Sequence, residues 1–210
     1  GLIPCAEGGS ALDDWAIDQS LFKHALSEAK FAMQSSELIG ILWHQGESDS
    51  FNGNYKVYYK KLLLIIETLR EELGAPNIPL IIGGLPDFLG KQGFGQNCKE
   101  YEFINKELER FAFNQENCYF VTAKGLTSNP DGIHIDAISQ RKFGIRYFQA
   151  FSKQEHVLTP LIHEEKLVGQ LAARKNTKTE KIYIKTLDFS LGKISYDDYL
   201  SAVMKINSEE

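Results

Sequence analysis

Short, nearly continuous apolar runs bounded by turn residues recur at residues 2–6, 38–44, 79–85 and 118–122, and longer stretches with apolar side chains at helical spacing lie between them. Runs that are apolar at every position suit parallel strands covered on both faces, and one parallel strand reaches the next only through a crossover, usually a helix. The sequence therefore predicts an α/β class, with helices over about 21–35, 54–73, 101–115 and 136–153. Gly74 and Pro76 close the second of these by supplying a helix stop and a residue that cannot continue the turn. In the last, Ile138, Phe143, Tyr147 and Phe151 form a face suited to a sheet.

Near residue 155 the alternation ends. Helices are expected at 160–175, 179–191 and 195–207, with Gly192 ending the second and Ser195 capping the third. This divides the chain into a domain over 1–154 and a helical appendage over 155–210. A chain of 210 residues has room for one full domain and such an appendage. Tyr183, Phe189, Tyr196 and Tyr199 fall at helical spacings in the appendage, which suits docking on its own domain or on a second subunit in a homo-oligomer. A net charge of -5 gives no general attraction to nucleic acid or to an anionic membrane, so neither is an expected partner. No apolar run is long enough to span a bilayer, and Cys5, Cys98 and Cys118 lack metal-ligand spacing. These features fit reduced thiols in a soluble, cytoplasmic protein without a bound metal.

In an open parallel sheet the ligand crevice lies beyond the carboxyl ends of the strands, which directs attention to the residues that follow each apolar run. After the first run come Glu7-Gly8-Gly9-Ser10, then Asp13, Asp14 and Trp15; after the second, Trp43-His44-Gln45-Gly46-Glu47-Ser48-Asp49. After the third come Gly83 to Phe88, and after the fourth a loop ending Asn129-Pro130-Asp131-Gly132-Ile133-His134. Asp131 and His134 are spaced for a carboxylate to fix an imidazole tautomer, the acid and base parts of a hydrolase triad. The same residues are also strong turn chemistry, with Asp136 placed to cap the next helix. Gly8 and Gly9 suit a turn that exposes backbone N–H groups to a developing oxyanion, and the Gln45 amide is a second donor for that role. Each also reads as an ordinary turn or surface group. Gly46-Glu47-Ser48-Asp49-Ser50 departs from a Gly-x-Ser-x-Gly elbow at its last position, which weakens Ser48 as a nucleophile. His24, His44, His156 and His163 suit structural or surface roles. Trp15, Trp43, Phe51, Tyr55 and Phe88 suit either an aromatic wall for a sugar or the core.

Taken in order, Ile3-Pro4-Cys5-Ala6 with Gly8, Gly9 and Trp15, then Trp43 to Asp49, then Asp131-Gly132-Ile133-His134 with Gln140 and Gly144, resemble the SGNH-type carbohydrate esterases. The subgroup is the sialate O-acetylesterase and acetylxylan esterase-like proteins, and the likeness runs to about residue 153. The resemblance implies a flavodoxin-like, three-layer α/β/α fold that removes acetyl groups from sugar hydroxyls through an acyl-enzyme, with no metal or organic cofactor. His134 would be the general base and Asp131 its orienting acid. Gly8, Gly9 and Gln45 would form the oxyanion hole, Glu47 and Asp49 would organise the loop, and Trp15, Trp43 and Phe88 would bind substrate. The family's nucleophilic serine lies in a Gly-Gln-Ser-Asn-type block after its first strand, a block that residues 1–210 do not contain. The expectation is a sheet lacking that internal strand, with the serine supplied from upstream of Gly1.

Three functions compete on this basis: a carbohydrate O-acetylesterase, a non-catalytic carbohydrate-binding remnant, and a serine hydrolase built on Ser48 with His134.

Overall fold

In the computed structural model, which describes residues 1–209, three of the four apolar runs form strands: β1 (Ile41–Trp43), β2 (Leu80–Gly83) and β3 (Cys118–Val121). They are parallel in the order β1-β2-β3, with Leu42 opposite Ile81 and Ile81 opposite Tyr119. The crossover helices are α2 (Tyr55–Glu72) and α3 (Tyr101–Asn114), preceded by α1 (Ser20–Ala32) and followed by α4 (Ala137–Lys153). Residues alternate across the sheet, so one face presents Trp43, Leu80, Ile82 and Phe120 to Tyr58, Leu62, Ile66, Leu108 and Phe111 of α2 and α3. The opposite face presents Ile81 and Val121 to Phe143 and Ala150 of α4. The result is a three-layer α/β/α arrangement. Each buried aliphatic side chain contributes about 1.5–3 kcal/mol, and truncating one such as Leu62 or Ile82 costs about 2–5 kcal/mol.

The expected strand over residues 2–6 does not form. A strand is held by the N–H and C=O groups of a neighbour, and among the described residues no strand lies beside this segment, so it runs as coil with Leu2 exposed. The outer edge of β1 is likewise unpaired among the described residues. On the α4 side of the sheet, Leu42 of β1 is 55% exposed and Phe148 of α4 is also exposed, so the apolar cover that β2 and β3 receive stops short of β1.

The chain divides into two units, Gly1–Glu165 and Lys166–Glu210. The sequence placed this boundary near 155. The difference arises because residues 155–165 return to the sheet: Val157 makes a parallel bridge to Val121 and is buried, and Glu164 pairs with Arg146. Beyond them α5 (Glu164–Ala173) leads to α6 (Lys178–Ser190) and α7 (Tyr196–Asn207). Within the second unit Thr177 and Glu180 form a capping box, Ser195 caps α7, and Phe189 stacks on Tyr199 with ring centroids 5.3 Å apart. Gly192, at φ 67°, supplies the left-handed residue that ends α6. No helix among the described residues is long and apolar enough to cross a membrane.

His156 fastens the returning segment. Its Nδ1 accepts the Phe120 N–H at 3.0 Å while its ring stacks on Phe113 at 4.1 Å. Burial lowers the imidazole pKa, and the charge of Glu109 offsets this only in part. The unfolded chain therefore takes up the proton first, so this contribution is complete above about pH 6.5 and falls as the pH drops through the folded value. The expected result is a falling urea midpoint on mild acidification, and a flatter pH dependence in His156→Gln.

Candidate active site

Because the strands are parallel, the segments that follow β1, β2 and β3 all emerge at one end of the sheet, and the structure joins them there. After β3, an antiparallel bridge between Ser128 and Ile135 closes a loop whose base is fixed to α4: the Asp136 carboxylate accepts the Ser139 N–H at 2.8 Å and the Thr127 hydroxyl. Gly132 takes the positive φ at the loop's tip. Inside it, Asp131 Oδ1 accepts the backbone N–H groups of Ile133 and His134, each at 3.0 Å, and Oδ2 lies 2.9 Å from His134 Nδ1. These three interactions, led by the Ile133 N–H, hold the Asp131 pKa down to about 2. The carboxylate stays ionised and fixes the imidazole with Nδ1 toward it. His134 is 71% exposed at its side chain, and its Nε2 makes no hydrogen bond among the described residues.

The segment after β1 turns sharply at Gly46. At φ 149° and with a Cβ position 2.8 Å from Ile104 Cγ2, no other residue fits there without displacement. The turn carries Glu47, whose carboxylate lies 3.5 Å from His44 Nε2. Burial raises the Glu47 pKa, but the hydrogen bond and charge of His44, its own backbone N–H and the charge of His134 together bring it below the usual range. Glu47 is thus a second ionised carboxylate in the neighbourhood of the imidazole. Asp49 Oδ2 accepts the Leu12 N–H at 2.9 Å and the Gln45 amide at 2.7 Å, and Ser48 Oγ donates to the Gly9 carbonyl at 2.8 Å. Ser48 thereby ties the Gly8-Gly9 turn to the segment after β1, and Asp49 ties Leu12 to it.

Three expectations need correction. Gln45 is not poised as an oxyanion donor: its Nε2 donates to the Ser10 carbonyl at 3.0 Å as well as to Asp49, which uses both amide hydrogens, while its carbonyls accept from the Tyr58 hydroxyl. It is a buried strut between two loops. Trp15 and Trp43 are also buried, their rings edge-to-face at 5.7 Å, with the Trp15 indole donating to Ser10 Oγ at 2.9 Å. Neither offers a face to a sugar. Phe88 is half-buried between the two core clusters and acts chiefly in packing. Gly8 and Gly9 lie in an open turn, closed by Ser10 Oγ to the Glu7 carbonyl at 2.9 Å.

The sequence reading also missed a supporting loop. Residues 90–98, between β2 and α3, lie backbone to backbone against the Asp131 loop: the Phe94 N–H donates to the Asp131 carbonyl at 2.8 Å. A Cβ on Gly93 would sit 2.0 Å from the Asp131 carbonyl oxygen, and one on Gly95 2.1 Å from that of Gly132. Two glycines bracketing an aromatic in a polar stretch were the available signal. At the loop's other end Cys98 Sγ donates to the Glu47 carbonyl at 3.4 Å. Among the described residues no group of three or more His, Cys, Asp or Glu side chains is gathered to hold a metal ion.

An oriented imidazole at the carboxyl end of a parallel sheet has the form of a hydrolase base. The family model described as carbohydrate esterase, sialic acid-specific acetylesterase, matches residues 1–153. The chain belongs to this carbohydrate esterase family. A probable carbohydrate esterase of Arabidopsis thaliana is 27% identical over 154 residues, which cover 72% of this chain and 55% of that protein. An X-ray structure of that Arabidopsis protein superposes with a TM-score of 0.64 at 24% identity, covering 71% of this chain and 58% of the other, and so supports the fold. The chain spans just over half the length of the carbohydrate esterase it matches.

Proposed function

We propose that the chain supplies the acid and base of an esterase that removes acetyl groups from carbohydrate hydroxyls, with His134 as general base and Asp131 as its orienting carboxylate. The observation that carries this reading is the Asp131–His134 pair, at 2.9 Å with Nε2 making no hydrogen bond among the described residues, in a chain of the carbohydrate esterase family. The chemistry needs a serine hydroxyl at Nε2. Ser48 is turned to the Gly9 carbonyl and Ser10 to Glu7 and Trp15, which leaves both engaged away from an imidazole.

The serine is therefore assigned to a strand seated on the open edge of β1, followed by a helix that covers Leu42 and Phe148. The bare apolar strip and the greater length of the Arabidopsis relative support this placement. The serine would attack the acetyl carbonyl while His134 takes its proton. The free N–H groups of Gly8 or Gly9 would receive the oxyanion, and His134 would return the proton to the departing sugar oxygen; water, deprotonated by His134, would then attack the acetyl-serine, freeing acetate as His134 reprotonates the serine oxygen. Acetate release from O-acetylated xylan or an O-acetylated sialic acid tests the reading. The protein carrying that strand should release acetate from at least one of them, residues 1–210 alone should not, and no release from either substrate would refute it.

A further inference from the structure

The supporting loop carries an unusual group. Phe94 is 74% exposed, yet the backbone around it is held at several points: its own N–H on the Asp131 carbonyl, Gly93 and Gly95 against Asp131 and Gly132, and Gly90 N–H on the Gly95 carbonyl at 2.9 Å. A Cβ on Gly132 would in turn lie 2.5 Å from the Gln92 carbonyl oxygen, so the contact is tight from both sides. An exposed aromatic on a slack loop folds back onto apolar surface. Here the pinned backbone keeps the ring in water, one hydrogen bond away from the residue that orients the base.

We propose that Phe94 is the platform on which a sugar ring stacks when its acetyl ester lies at His134. A pyranose presents a face of C–H groups with hydroxyls at its rim, and such a face pairs with an aromatic ring while the hydroxyls stay hydrated. With Trp15 and Trp43 buried, Phe94 is the exposed aromatic in direct backbone contact with the Asp131 loop. The neighbouring Lys91, Gln92 and Gln96 offer polar partners for the rim. The stacking ring sets specificity for saccharide esters over small esters and takes no part in proton transfer. This inference rests on the acetylated-carbohydrate reading above.

The test is calorimetric titration of the full serine-carrying protein, with its nucleophilic serine replaced by alanine so that no ester is cleaved, using O-acetylated xylotetraose and an O-acetylated N-acetylneuraminic acid. Phe94→Ala should weaken binding of at least one saccharide about tenfold, and Phe94→Trp should restore it. Phe31→Ala, at an exposed phenylalanine on α1, should change nothing. Equal binding by the parent chain and Phe94→Ala, or no saturable binding of either saccharide by the parent, overturns the proposal. Phe94-dependent binding in a serine-carrying protein that never releases acetate would leave the platform standing while the esterase reading fell.

Discussion

In the serine-carrying protein, His134→Ala should lower kcat for acetyl-ester hydrolysis by about ten-thousandfold while leaving the affinity for saccharide largely unchanged. The size follows from the role: without a base at Nε2 the serine hydroxyl keeps its proton, and only binding and oxyanion stabilisation remain. Asp131→Asn should cost nearly as much, because an amide at that position no longer fixes the tautomer that leaves Nε2 unprotonated. The pH profile separates the two residues further. Asp131 is held ionised until the pH approaches about 2, so loss of activity in mild acid is not due to its protonation, and the acid limb should persist unchanged when Asp136 or other surface carboxylates are altered. Initial rates on an acetylated saccharide from neutral pH to mild acid provide the check. Activity in His134→Ala within tenfold of the parent would remove His134 as the base.

The largest expected effect on stability is at Arg146. Its guanidinium is 1% exposed and makes a two-pronged pair with Glu164, at 2.8 Å from Nε and 2.6 Å from Nη2. Nη1 donates to the carbonyls of Thr122 and Lys124 at 2.8 and 3.0 Å. Arg146→Met would strand a buried carboxylate and two carbonyls, at a cost of about 3–5 kcal/mol. Glu164→Leu added to it should recover part of that loss, since an apolar pair leaves no buried charge unpaired. Burial raises the Glu164 pKa, but the hydrogen bond and charge of Arg146 carry it below the usual value. The pair's contribution is therefore present above the unfolded carboxylate pKa, about 4.3, and is lost as the pH falls through the lower folded value. Urea denaturation of the single and double variants, at neutral pH and near pH 4, measures both effects.

Arg146 also illustrates what a sequence conceals. The helical period of residues 136–153 marked Ile138, Phe143, Tyr147 and Phe151 as facing the sheet, of which Ile138 is instead exposed, whereas an arginine on the same helix reads as solvated until its partner eighteen residues on is found beneath the surface. Elements fixed by local chemistry were legible: α4 begins where Asp136 caps it, α6 ends where Gly192 takes a positive φ, and the Asp131–His134 pair forms within a single turn. Features that depend on a distant neighbour were not. Residues 2–6 have the composition of a strand but, among the described residues, no strand to pair with, and Gln45 is committed by Ser10 and Asp49, which its own surroundings in the chain do not announce. Trp15 and Trp43 looked equally suited to a sugar wall or to the core, and only packing decided between them.

In the proposed mechanism His134 serves a serine that lies outside residues 1–210. Fluorophosphonate labelling of the protein purified from the cells that make it, followed by peptide mapping, tests this most directly. The expected result is a single modified serine on a peptide outside this stretch, with labelling abolished by His134→Ala. A label on Ser48 or Ser10, or no label on the folded protein, would contradict it.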